Sequence, residues 1–153
     1  MSPNQKVNQL RSTHMKPVLV VDDEPQMRSL VKVLLADDGL DTIEAGDGCS
    51  AFATARKLDG EISLVVTDIN MPCGLDGLDL AAAVKCTFPG VPVLVVSSRP
   101  SPAADRNSID PAYEFLKKPF DVRTFVQTVR KLLTQGKSQV AEQSGKEERE
   151  GIR

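Results

Sequence analysis

The sequence predicts a doubly wound α/β fold: a five-stranded parallel sheet with helices on both faces. Three observations carry this reading. Short runs rich in Val, Leu and Ile alternate with longer segments of helical period, the pattern of successive βαβ units. The apolar runs are nearly continuous, as in strands covered on both faces. The chain of 153 residues, 41% hydrophobic and 26% charged, is long enough to bury a core without a disulfide or metal staple.

The elements follow in order. Residues 1–16 are polar and without period, and read as a flexible lead. Pro17–Val21 is the first buried strand. Met27, Leu30, Val31, Leu34 and Leu35 then recur at helical spacing, and Gly39 closes that helix. Asp41–Ala45 is a weaker, edge-like strand, and Phe52, Ala55 and Leu58 mark a second helix with Asp47 near its start. Ser63–Thr67 is the third strand, and Leu78, Ala81, Ala82 and Val84 mark a third helix ended by Pro89-Gly90. Val91–Val96 and Tyr113–Lys117 are the last two strands. Between them Arg99–Pro111 holds three prolines and few apolar residues, so a fourth helix there is short or disordered. Phe125, Val126, Val129, Leu132 and Leu133 form the last helix, with Asp121 as its N-cap. Residues 135–153 offer almost nothing to bury and read as a disordered tail. One domain over 17–134 results.

Composition excludes several classes. Residues 1–16 carry +3 and 135–153 balance to zero, so the net charge of −2 leaves −5 on 17–134. An acidic body argues against nucleic-acid binding. No apolar run reaches the ~20 residues that span a bilayer, and no apolar core follows the N-terminal basic residues, so neither a membrane span nor a secretory signal is expected. Cys49, Cys73 and Cys86 are odd in number and lack CxxC spacing. They are read as reduced thiols of a cytoplasmic protein, not a disulfide framework or a zinc site.

Parallel strands bring whatever follows them to one edge of the sheet, where doubly wound folds bind ligands. Asp22-Asp23-Glu24 follows the first strand, Asp68 the third, Ser97-Ser98 the fourth and Lys118-Pro119 the fifth. Two carboxylates ~4 Å apart repel by about 4 kcal/mol at an effective dielectric of 20. Three need protons or a cation, and a hard, oxygen-preferring ion such as Mg²⁺ suits them. A carboxylate beside a metal, an ammonium and a hydroxyl is placed to attack phosphorus and form an acyl phosphate.

These residues resemble a known family. The stretches VLVVDDEPQMR at 18–28, VVTDINMPCGLDGL at 65–78, PVLVVSS at 92–98 and EFLKKPF at 114–120 resemble the receiver domain of two-component response regulators, the chemotaxis-regulator-like group. The resemblance implies the flavodoxin-like receiver fold with strand order 2-1-3-4-5. It implies Asp68 as phosphoacceptor, and Asp22 and Asp23 as the acidic pocket for Mg²⁺. Asp23 and Asp68 would be direct ligands, and Asn70 would add its backbone carbonyl. Ser97 takes the place of the switch hydroxyl, Lys118 of the family's lysine and Phe115 of the switch aromatic, with a cis peptide at Lys118-Pro119. It further implies a phosphohistidine donor, a sensor histidine kinase or histidine phosphotransfer protein, and a protein partner downstream. The domain would be no enzyme beyond its own phosphorylation and dephosphorylation.

Two departures stand out. The loop NMPCGLDGL is one residue longer than the commoner form, which reshapes the rim near Cys73 and Gly74. Residues 99–111 lack the usual alanine-rich helix. The lone His14 lies in the lead, so the phosphoryl donor is external. Gly136-Lys137-Ser138 follows no strand and is no P-loop. With no effector domain after Leu133, a stand-alone receiver is expected, a fragment of a longer chain being the alternative. A haloacid-dehalogenase-like phosphohydrolase would carry its nucleophile on the first strand and its paired acids last, the reverse of this order. A flavodoxin-type cofactor site needs a phosphate cradle where Asp22-Asp23-Glu24 would repel phosphate. A receiver-like interaction module that is not phosphorylated is the remaining rival.

Overall fold

The computed structural model describes residues 15–98 and 113–150, with side chains as far as residue 136. The strands are β1 (Val18–Val21), β2 (Thr42–Ala45), β3 (Leu64–Thr67), β4 (Val93–Ser97) and β5 (Glu114–Lys117). Among the described residues the helices are α1 (Pro25–Asp37), α2 (Gly48–Lys57), α3 (Gly77–Thr87) and α4 (Val122–Glu150). The sheet is parallel throughout, in the order β2-β1-β3-β4-β5. The fold class and strand order expected from the sequence are observed. The short or disordered fourth helix over 99–111 and the lead up to residue 14 lie outside the described residues.

Alternation along the strands divides the core in two. Leu19 and Val21 of β1, with Val65 and Val95, pack against Ala51 and Ala55 of α2 and Leu80, Ala81 and Val84 of α3. Val18 and Val20, with Leu64, Val66, Leu94 and Val96, face Val31, Leu34 and Leu35 of α1 and Phe125, Val129 and Leu132 of α4. Phe125 is completely enclosed, and its replacement by Ala removes a volume whose loss costs about 3–5 kcal/mol.

The helix boundaries follow local chemistry. Glu24 occupies the N-cap of α1 without capping it, and Pro25 takes the first turn, where no N–H is needed. Asp47 caps α2 by accepting from the Ser50 N–H at 2.7 Å, and Asp121 accepts from the Thr124 N–H at 2.7 Å at the start of α4. Gly39 takes φ +78° just past α1, as a closing glycine should. Two core assignments are corrected. Leu30 is 47% exposed, because Val31, Leu34 and Leu35 already fill the stripe that faces the sheet. In α3 it is Leu80, not Ala82, that is buried, since the helix begins at Gly77 and turns its 77, 80, 81 and 84 stripe inward. The last helix also runs further than its apolar pattern, its backbone remaining helical to Glu150 through a stretch rich in Gln, Lys and Glu.

The cysteine expectation is corrected as well. Cys49 and Cys73, 24 residues apart, are joined by a disulfide, and only Cys86 is free. Sequence spacing conceals the pair, because the long loop after β3 and the start of α2 meet only in the folded chain.

Candidate functional site

Backbone hydrogen bonds carry the sheet ladder one residue past β1, β3 and β5. The Asp22 N–H donates to the Ala45 carbonyl at 3.2 Å, and the Asp68 N–H to the Val21 carbonyl at 3.1 Å. The Lys118 N–H donates to the Ser97 carbonyl at 2.8 Å. Asp22, Asp68 and Lys118 therefore emerge at the same edge, pinned by main chain.

Their side chains converge. The Lys118 Nζ lies 3.5 Å from Asp22 Oδ2 and 3.8 Å from Asp68 Oδ2. Carboxylate oxygens of Asp22, Asp23 and Asp68 all lie within 4.8 Å of one another. Asp68 is oriented by its own main chain, since Oδ1 accepts the Ile69 N–H at 2.7 Å and leaves Oδ2 toward the lysine. Asp22 Oδ1 accepts the Glu24 N–H at 2.9 Å. Asp22 is only 5% exposed, whereas Asp23 is open to solvent. Burial pushes the Asp22 carboxyl above its ordinary 3.8. The Glu24 N–H and the Lys118 ammonium oppose that rise, and the Asp68 charge adds to it.

The donors suit Mg²⁺. They are all carboxylate oxygens, one of them buried with its charge only partly offset, and such a set favours a small hard cation.

The other expected residues occupy the same end of the sheet. Ser97 is completely buried at the end of β4, opposite Lys117 in register. Phe115 is half-buried on β5 and packs against the cluster under α2 and α3. Asn70 is exposed in the loop that follows Asp68. The Lys118-Pro119 peptide is cis.

Several supports escaped the sequence reading. Arg28 Nη1 donates to the Asp22 carbonyl at 2.6 Å, and its Nε lies 3.4 Å from Glu44 Oε1. The pair ties α1 to β2 behind the acidic residues. Arg28 lies one turn into α1 on the side facing Asp22, which is the signal its sequence position offered. The buried Thr67 hydroxyl donates to the Asp68 carbonyl at 2.8 Å. Gly77 lies so close beneath the site that a Cβ there would collide with the Asp68 carbonyl oxygen. Its N–H donates to the Ile69 carbonyl at 2.8 Å, closing the base of the 70–76 loop. Beside it Asp76 and Asp79 form a reciprocal capping box that starts α3. The pattern Asp-x-x-Asp could have revealed that box.

In that loop Cys73 has φ +75° and Gly74 φ +77°. Left-handed backbone at a residue with a Cβ costs roughly 1–2 kcal/mol. Two successive left-handed residues curl the loop back over α2, where Gly48 leaves room that a Cβ would take from the Leu75 carbonyl.

Comparison with known proteins agrees with this architecture. The chain belongs to the response regulator receiver domain family, whose model matches residues 18–130. The probable transcriptional regulatory protein TcrX of Mycobacterium tuberculosis is 36% identical over 118 residues, 76% of this chain and 49% of that protein. The chain thus spans about half the length of that curated relative. The response regulator TrrA of Thermotoga maritima, solved in complex with Mg²⁺-BeF, is 31% identical with a TM-score of 0.65, over 77% of this chain and 99% of that one. A response regulator receiver domain protein of Clostridium thermocellum is 26% identical with a TM-score of 0.69, over 79% of this chain and 96% of that one. Receiver domains are signalling modules, which sets the hydrolase and flavodoxin alternatives aside. No described helix is long and apolar enough to cross a membrane.

Proposed function

We propose that this receiver takes a phosphoryl group onto Asp68 from a phosphohistidine of a sensor histidine kinase or a histidine phosphotransfer protein. The observation that carries the reading is the convergence of three carboxylates and one ammonium at the carboxyl edge of the sheet. In the transfer an Asp68 oxygen forms the new P–O bond while the P–N bond to the donor imidazole breaks, its electron pair returning to the ring nitrogen. The Ile69 N–H holds the carboxylate in orientation throughout. The Lys118 ammonium offsets charge on the phosphoryl oxygens. Asp22, Asp23, Asp68 and the Asn70 carbonyl would hold Mg²⁺, which supplies further charge neutralisation when bound.

Ser97 and Phe115 would carry the signal, the hydroxyl turning to the phosphoryl group and the ring following. The reader of that change is a protein, and we place the domain at 17–134 in the cytoplasm with neither nucleic acid nor membrane as its ligand. Its catalysis is confined to its own phosphorylation and dephosphorylation. Acetyl phosphate with Mg²⁺, followed by intact mass, tests the proposal. One hydroxylamine-labile phosphoryl group is expected, and chelating Mg²⁺ before the donor is added should prevent its formation. A mass unchanged at millimolar Mg²⁺ leaves the receiver-like interaction module that is not phosphorylated as the reading.

A further inference from the structure

We propose that Cys49 and Cys73 are a reversible oxidation site at the rim of the acidic pocket, closed by a peroxide and reopened by thiol exchange. The two Cα atoms stand 6.6 Å apart, within the reach of a disulfide, and the sulfurs are bonded. Cys73 reaches this position through a left-handed backbone that residues with a Cβ rarely adopt, and such outliers gather at functional sites. Both cysteines are exposed, so an oxidant reaches them without opening the fold. Cys49 is the second residue of α2, just past the Asp47 cap, so the helix start holds its sulfur toward the loop that carries Cys73.

The surroundings accommodate both oxidation states. Cys49 Sγ lies 3.3 Å from the Cys73 carbonyl oxygen, and Cys73 Sγ lies 3.5 Å from Asp47 Oδ1. In the disulfide these sulfurs carry no proton. On reduction the sulfurs must move apart, and the Cys73 carbonyl and Asp47 Oδ1 are the nearest acceptors for the new S–H groups.

The chemistry balances with a peroxide as oxidant. The Cys49 thiolate attacks one peroxide oxygen and the O–O bond breaks, leaving a sulfenic acid and, after protonation, water or an alcohol. The Cys73 sulfur then attacks the sulfenic sulfur, the S–S bond forms, and water leaves with the Cys73 proton. Each sulfur has lost one electron and the peroxide has gained two. The same three groups, Asp47, Cys49 and Cys73, lie within 4.8 Å of one another and offer ligands to a soft metal. Tetrahedral zinc would hold two sulfurs ~3.8 Å apart, however, and here they are bonded to each other.

Closing the bridge ties the loop that carries Asn70 to the start of α2. Its effect on Asp68 rests on the function proposed above, so the experiment reads the two chemistries separately. The full chain is reduced, titrated with hydrogen peroxide, alkylated and weighed. Wild type and Cys86→Ser should lose two hydrogens, protect Cys49 and Cys73 from alkylation, and recover both thiols in dithiothreitol. Cys49→Ser and Cys73→Ser should form no internal bridge. Bridges to Cys86, sulfinic acids on both residues without a bridge, or a zinc ion retained by the reduced protein that shields both thiols would each overturn the site. The acetyl phosphate reaction on the reduced and oxidised forms should differ about fivefold in rate, the lower end of coupling between linked sites. Equal rates would overturn the coupling. Absence of phosphorylation in both forms would overturn the Asp68 reading while the mass result still stands.

Discussion

The acidic edge and the cysteine rim share one loop but are assembled by different means. At the edge, three functional residues directly follow a strand, and the sheet ladder itself delivers them: Asp22 after Val21, Asp68 after Thr67, Lys118 after Lys117. At the rim, Cys49 rides on a helix start and Cys73 on two left-handed residues, and no ladder connects them. The edge is expensive to charge and cheap to position, since Asp22 sits buried beside a second carboxylate while main-chain bonds fix it in place. The rim is exposed to solvent and expensive to position. A site made by register tolerates sequence change around it, whereas a site made by loop conformation depends on every residue of the loop.

The largest expected effect falls on the edge. Asp68→Asn keeps the Ile69 N–H acceptor and the shape but removes the nucleophile, so acyl-phosphate formation should vanish in the intact mass while urea unfolding stays close to wild type. Gly77→Ala should come next. The added methyl meets the Asp68 carbonyl, and a stability loss of about 3 kcal/mol or more is expected in urea titration, with Mg²⁺ binding weakened at the same time. A fully stable Gly77→Ala would show that the edge does not depend on that close approach.

Reducing the rim should cost somewhat less. Releasing a crosslink between residues 24 apart returns loop entropy to the unfolded chain, worth about 3 kcal/mol, and the Gly48–Leu75 contact that remains cannot replace it. Thermal unfolding with and without dithiothreitol, with Cys49→Ser as control, checks it. An equal melting temperature in all three would mean that the rim contributes nothing to the fold.

The smallest effect has an unusual sign. Asp22→Asn should stabilise the metal-free protein by about 1 kcal/mol, because it removes a buried charge while Oδ1 still accepts the Glu24 N–H. Since the folded value of Asp22 lies above 3.8, the native state binds its proton first. The contribution of Asp22 to stability should therefore rise as pH falls through that raised value toward 3.8. The advantage of Asp22→Asn is full at neutral pH and gone below the unfolded value. Asp38 acts oppositely: its hydrogen bonds to Arg130, with Nε 2.9 Å from Oδ2, hold it below 3.8, so that link between α1 and α4 is lost on acidification. Urea titrations of wild type and Asp22→Asn across pH 3 to 7 separate the two, and a constant difference between them would refute the assignment to Asp22.

The same contrast explains what could be read from the sequence. Strand runs, helix stripes and the acids behind the strands are local patterns, and a parallel sheet converts them into adjacency without further information. That is why Asp22, Asp23, Asp68 and Lys118 were legible as a cluster. Leu30 and Ala82 were misassigned because apolar spacing does not say which side of a stripe the sheet will cover. The Cys49–Cys73 pair was illegible because it depends on the backbone hand at residue 73, which a cysteine does not announce as a glycine would. Arg28 was passed over because its partners, the Asp22 carbonyl and Glu44 on β2, come together around it only in the folded chain.

The hydrogen bond from Gly77 to the Ile69 carbonyl has a consequence for divergence. It closes 70–76 at the neck, so residues can be added or lost in the hoop without displacing Asp68 on one side or α3 on the other. Lengthening an already closed loop is thermodynamically mild. The hoop is therefore a place where descendants of this chain can acquire new chemistry by insertion while keeping the old, and where an engineer should graft first.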